Sequence, residues 1–185
     1  MTNSEQPGAS VRTLAKKVCL LGDFGVGKTS LVERFIYGRF NPLYQASIGV
    51  QTRRKVVMLD DLPQPTEVKM VIWDIAGSQR LSDNPMRESY LRGSHGALLV
   101  CDLTRRETVD ALRGYVEDLA RVKVDMAVVL AANKADLEAE REVSVEEVAE
   151  LATAMDAKYL LTSAKDGRNV EAAFQALAEM MAAVS

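Results

Sequence analysis

The sequence is poor in cysteine, in histidine and in any excess of positive charge. It holds two cysteines and one histidine in 185 residues. Cys19 and Cys101 both sit inside apolar runs that read as strands, so a disulfide framework is disfavoured and two buried, reduced thiols in a cytosolic protein are expected. His95 lies beside Gly96, outside every motif described below, and no catalytic role is expected for it. No apolar stretch approaches the roughly 18–20 residues that a membrane span requires. Met1 to Ser10 is polar and lacks the hydrophobic core of a signal peptide, and threonine as second residue fails the N-myristoylation pattern, which needs glycine there. The last residues, Glu179 to Ser185, contain no cysteine for prenylation and no polybasic tail, so no lipid anchor is visible. The formal net charge is −3, which argues against nucleic acid or an anionic membrane as the main partner. A cytoplasmic location is expected.

What is present is an ordinary globular balance, 48% apolar and 26% charged, at a length that fits one domain. Residues 1–15, rich in Ser, Gln, Pro and Gly, read as a flexible lead-in, and 16–185 as a single domain. Val18 to Leu21 is a buried strand ending in a glycine-rich turn. Lys28 to Arg39 then reads as a helix with Leu31, Phe35 and Ile36 on one face. Gln51 to Leu59 and Val68 to Ile75, separated by the polar stretch Asp60–Thr66, form an antiparallel hairpin. Ala97–Cys101, Met126–Ala132 and Tyr159–Leu161 are further apolar runs, with helical segments near 106–122, 144–156 and 169–183. This alternation predicts an α/β domain whose six-stranded sheet is mostly parallel, with one antiparallel strand and helices on both faces. Glu138–Glu142 reads as a solvated loop.

The chemistry is carried by four short motifs. Gly22-Asp23-Phe24-Gly25-Val26-Gly27-Lys28-Thr29 matches G-x-x-x-x-G-K-[ST] between a strand and a helix, the context a phosphate-binding loop needs. Its glycines let backbone N–H groups approach phosphate, and the helix N-terminus adds a favourable dipole. Phe24, Gly25, Val26, Gly27, Lys28, Thr29 and Ser30 are therefore candidate nucleotide contacts, with Lys28 reaching the β- and γ-phosphates and the Thr29 hydroxyl binding Mg²⁺. Asp74-Ile75-Ala76-Gly77 is D-x-x-G at a strand end. Asp74 would hold Mg²⁺ through water, and the Gly77 N–H would sense the γ-phosphate. Asn133-Lys134-Ala135-Asp136 names the base. A carboxylate at Asp136 accepts two hydrogen bonds from guanine N1–H and the 2-amino group, a pair of donors adenine lacks, and it sits where open α/β sheets bind ligands. Ser163-Ala164-Lys165 follows the last strand, with the Ala164 N–H placed for guanine O6. A phosphate-loop kinase or ATPase is disfavoured by Asn133–Asp136 and Ser163–Lys165.

With these motifs in this order, residues 17 to 180 resemble a small GTPase of the Ras superfamily, whose fold is the phosphate-loop NTPase G domain. Gly22-Asp23, Trp73 before Asp74, and Ser47-Ile48-Gly49 are similar to the Rab-like branch. The resemblance implies a GTP/GDP switch with Mg²⁺. It implies that Phe40 packs against the guanine ring, that Tyr44 closes over the phosphates, and that Ser47 stands for the family's Mg²⁺-coordinating switch threonine. Metal ligands would then be Thr29, Ser47 and Asp74. Effector, exchange-factor and GTPase-activating proteins would read segments 40–50 and 74–92. Trp73 is expected to pack rather than react.

The sequence departs from the family pattern at two reacting positions. The family places a glutamine directly after the glycine of D-x-x-G to orient the attacking water. Here that position is Ser78, and Gln79 follows one residue later. Phe24 occupies a loop position that is usually small. Lys28, Gly77, Ser78 and Gln79 are thus the candidate catalytic residues, with slow hydrolysis expected. A GTP-binding adaptor that does not hydrolyse its nucleotide is the competing expectation. The unlipidated end suits a prokaryotic Rab-like member or a domain excised from a longer chain.

Overall fold

The computed structural model describes residues 10–42, 49–77, 89–122 and 126–184. Six strands form one sheet: β1 (Arg12–Leu21), β2 (Val50–Leu59), β3 (Thr66–Ile75), β4 (Gly96–Asp102), β5 (Ala127–Asn133) and β6 (Lys158–Leu161). Their order is β2-β3-β1-β4-β5-β6. β2 and β3 are antiparallel; every other neighbouring pair is parallel. The helices lying wholly within the described residues are α1 (Lys28–Tyr37), α2 (Arg106–Asp110), α3 (Leu112–Val122), α4 (Val145–Ala154) and α5 (Val170–Ala183). This is the mostly parallel α/β sheet with one antiparallel strand that the sequence predicts.

The strand alternation divides the core in two. Val18, Leu20, Met70, Ile72, Leu98 and Val100 face a layer made by α1 and α5. There Phe35 and Phe174 stack with centroids 3.9 Å apart. Cys19, Leu21, Leu99, Cys101 and Leu130 face the other layer, where Leu112, Tyr115, Val148 and Leu151 cover them. All seven residues of β4 are buried, as a strand covered on both faces requires. Each such leucine or phenylalanine contributes about 1.5–3 kcal/mol by leaving water. Both thiols are free and buried.

Several boundaries differ from the sequence reading, β3 among them, which begins at Thr66 and not Val68. β1 begins at Arg12, so residues 12–15 belong to the sheet and not to a flexible lead-in. Polar composition hides this, because those residues are held by backbone pairing along β3, Arg12 opposite Thr66, with Leu14 packed on the core. α1 stops at Tyr37 rather than Arg39, since Gly38 turns left-handed and its N–H caps the Arg34 carbonyl. The 106–122 helix is two helices meeting at Ala111. There the Gly114 N–H bonds the Ala111 carbonyl three residues back, a tighter turn than α. The Glu138–Glu140 part of the expected solvated loop is a single 3-10 turn.

β2 is an edge strand and carries three successive cations. Arg53 and Lys55 pair with Glu33 and Glu171 at 3.7 and 3.5 Å, while Arg54 projects to the opposite face of the pleat and is exposed.

Candidate nucleotide site

β1 lies between β3 and β4, and its carboxyl end opens on a crevice of the kind that binds ligands in such sheets. The crevice encloses about 630 Å³, within the range of small-molecule sites. Phe24, Gly25, Gly27 and Ser30 line one end; Asn133, Lys134, Asp136, Ala164 and Lys165 line the other. Phe40, Asn41 and Pro42 form a side wall, with Phe40 also packed on the core.

The phosphate-loop end is built by unusual backbone. Gly25 and Gly27 have φ of 75° and 99°, left-handed values that favour glycine. At Gly27 a Cβ would also collide with the Asn133 side-chain amide. Gly27 is the N-cap of α1 and contributes no side-chain cap, and a helix N-terminus favours an anion through its dipole. Lys28 Nζ donates to the carbonyls of Gly22 and Asp23 at 2.9 and 2.8 Å, which holds the ammonium inside the loop. Gly77 closes over it from β3, near enough that a Cβ there would strike Lys28 Nζ and the Asp23 carbonyl.

Thr29 and Asp74 meet from opposite elements, the Thr29 hydroxyl donating to Asp74 Oδ2 at 2.5 Å. Asp74 Oδ1 is buried with no hydrogen-bond partner among the described residues. Burial pushes the Asp74 carboxyl above its ordinary pKa, against the hydrogen bond from Thr29 and the charge of Lys28. An orphaned carboxylate oxygen costs on the order of 1–3 kcal/mol. A hydroxyl beside a carboxylate is an oxygen set suited to a small hard cation that also keeps water and phosphate ligands, so these residues fit Mg²⁺.

At the other end, Asn133 acts as a tie. Its amide donates to the Val26 carbonyl at 2.8 Å, and its Oδ1 accepts from the Thr162 hydroxyl and the Ala164 N–H, each at 3.3 Å. Ser163 Oγ donates to Asp136 Oδ1 at 2.7 Å, and Lys165 Nζ lies 3.9 Å from Oδ2. The Asp136 carboxylate is thereby oriented on the crevice wall. Lys134 adopts a left-handed φ of 62° and places Nζ 2.5 Å from Asp102 Oδ2.

Four residues that sequence reasoning missed support this site. Asp102 ends β4 fully buried. Burial alone would raise its pKa, but hydrogen bonds from Lys134 and Thr104 hold it below the ordinary carboxylate value. Arg105 Nε lies 3.1 Å from the same Asp102 Oδ2, and its Nη2 donates to the Phe24 carbonyl at 2.8 Å. The Tyr115 hydroxyl donates to Asp23 Oδ1 at 3.0 Å. Arg34 Nε donates to the Ala164 carbonyl at 2.8 Å, and its Nη2 bonds the Lys165 carbonyl. Polar residues just past the carboxyl end of a buried strand face such a crevice, a signal that marks Asp102 and Arg105; nothing local marks Tyr115 or Arg34.

Phe24 is 52% exposed at the mouth of the crevice. Tyr44, Ser47, Ser78 and Gln79 lie outside the described residues. His95 sits away from the crevice, its Nδ1 accepting the Lys17 N–H at 3.1 Å. Trp73 packs beneath Lys17 Nζ, 4.1 Å from its ring centroid, and beside Tyr90.

A model described as the Ras family matches residues 17–183. The chain belongs to this family, and with it to the guanine-nucleotide-binding small GTPases.

Proposed function

We propose that this Ras-family chain is a GTP/GDP switch that uses Mg²⁺ and hydrolyses GTP slowly on its own. The observation that carries the reading is the Thr29–Asp74 pair with its orphaned Oδ1, next in sequence to Ser30, which lines the same crevice as Gly27 and Asp136. In this reading Asp136 accepts from the guanine edge, and the Ala164 N–H reaches the base carbonyl. The first-turn N–H groups of α1 and the Lys28 ammonium take the phosphates. Thr29 and Asp74 hold Mg²⁺, which would neutralise charge on the phosphate oxygens.

Slow hydrolysis rests on Phe24 and Ser78. Serine following Gly77 is too short to orient water as the family's glutamine does. The exposed Phe24 ring crowds the approach of any group from outside. A partner supplying an arginine would then matter most, a contribution of roughly 10³–10⁵ in rate for GTPases. Segments 40–50 and 74–92 are the surfaces we assign to effectors and regulators, and the cytosol is the location we assign. The non-hydrolysing adaptor is the second reading, favoured by the same two residues. Single-turnover hydrolysis of GTP on the purified protein separates them. Turnover as fast as a glutamine-bearing relative's would sink the slow-hydrolysis reading, and none at all, with or without an activator, selects the adaptor.

A further inference from the structure

The outer face of the phosphate loop is gripped by residues that follow β4. We propose that Arg105 is a positioning residue that aims the Gly25 N–H at the nucleotide phosphates, doing for the Phe24–Gly25 peptide what Asn133 does for the Val26–Gly27 peptide. The inference rests on the guanine-nucleotide reading of the crevice.

In a planar trans peptide the C=O of one residue and the N–H of the next point to opposite sides. A donor that captures the carbonyl therefore fixes where the following N–H points. Asn133 captures the Val26 carbonyl at 2.8 Å, and Arg105 captures the Phe24 carbonyl at the same distance. Both glycines that follow, Gly25 and Gly27, line the crevice, and both have the left-handed φ at which glycine rotates freely. Without an external hold, the Phe24–Gly25 peptide has a low barrier to turning its N–H away.

Arg105 is itself held. Its Nε is anchored to Asp102 Oδ2 at 3.1 Å, and that carboxylate is wholly buried and also binds Lys134. The guanidinium fork thus joins a fixed anion to a loop carbonyl, a two-point geometry that a flexible ammonium does not reproduce. Asp23, the preceding residue, is held by Tyr115 from the same stretch of chain. Arg105 acts through backbone N–H groups and not on the reacting atoms, so it is a positioning residue and not a catalytic one.

The test uses the full chain loaded with a fluorescent GDP analogue. Arg105→Ala is expected to release the analogue about tenfold faster, the effect of one charge-assisted hydrogen bond. In ¹H–¹⁵N spectra of the GDP-bound protein, the Gly25 amide proton should move upfield as its phosphate bond weakens, while Gly27 stays in place. Arg105→Lys should fall between the two and covers the case in which the alanine variant does not fold. Release from both variants within twofold of the unsubstituted protein, or an unmoved Gly25 amide, overturns the inference alone. Failure of the unsubstituted protein to retain the analogue overturns the nucleotide reading and the inference together.

Discussion

Asn133 and Val26 are 107 residues apart in sequence and joined by one hydrogen bond of 2.8 Å, side-chain amide to carbonyl. The residue that opens the Asn133–Asp136 motif is therefore part of the phosphate loop's frame. Asn133→Ala would leave the Val26 carbonyl and the Thr162 hydroxyl without this partner, at about 1–3 kcal/mol for each buried group. The expected outcome is a lowered melting temperature together with GDP release at least about tenfold faster, read by a thermal scan and by stopped-flow release. An unchanged release rate would show that the tie is decorative.

Asp136 is poised differently, because Ser163 orients it from the side at 2.7 Å. Asp136→Asn keeps the shape and replaces one acceptor by a donor on the side we assign to the guanine edge. Guanine preference should fall by about 10–100-fold, the worth of a charged hydrogen bond or two. Competition of GTP against ATP for the bound probe reads this directly. Equal discrimination in the variant would remove Asp136 from base recognition.

Phe24 and Ser78 are separable. Ser78→Gln restores the family's water-orienting group and should raise intrinsic hydrolysis by about tenfold or more. Phe24→Ala should leave nucleotide affinity nearly unchanged, because the loop binds through its backbone, and should increase stimulation by an activator. Should Gln79 supply the missing group instead, Gln79→Ala would slow hydrolysis and Ser78→Ala would not.

The acid side of the stability profile should contain a contribution from α4. Glu147 closes the capping box with Ser144, and Arg106 Nη1 lies 2.7 Å from its Oε1. The Arg106 hydrogen bond leads the causes that pull the Glu147 pKa down to about 2. A depressed folded-state pKa means that the stabilisation is complete above the ordinary carboxylate value near 4.5, and that it is lost as pH falls from there toward 2. Glu147→Gln should flatten this part of the profile in urea unfolding between pH 4.5 and pH 2. An identical slope in the variant would place the titration elsewhere.

Neither thiol should react in the native state. Burial, helped by the neighbouring Asp102 charge, pushes Cys101 to about 12, and burial raises Cys19 as well. Thiolate is the reactive form, so alkylation at pH 8 followed by mass spectrometry should find no adduct on the native protein and two after denaturation. Rapid labelling of either cysteine in the native state would contradict this burial.

Much of this site was legible because its chemistry is concentrated in short motifs. Lys28 and Thr29 announce themselves by spacing, and Asp74, Asn133 and Asp136 by their place after apolar strands. Tyr115 and Arg34 were not legible, since each reaches the site from 92 and 130 residues away with a residue type that any helix carries. The fold was read well where burial sets the pattern, as in β4. It was misread at residues 12–15, where backbone pairing along β3 extends the strand past the apolar run, and at Ala111, where one tight turn interrupts a helical periodicity that continues across it.

The cations of β2 have a consequence for how copies of this protein meet in concentrated solution. A ten-residue edge strand offers a row of backbone groups to any passing strand. A second copy laid antiparallel along it, centred on Arg54, would set Arg54 against itself and Arg53 against the neighbour's Lys55. Like charges directly opposite repel in a ladder, so self-assembly in that register is penalised at the middle of the strand, where pairing would otherwise begin.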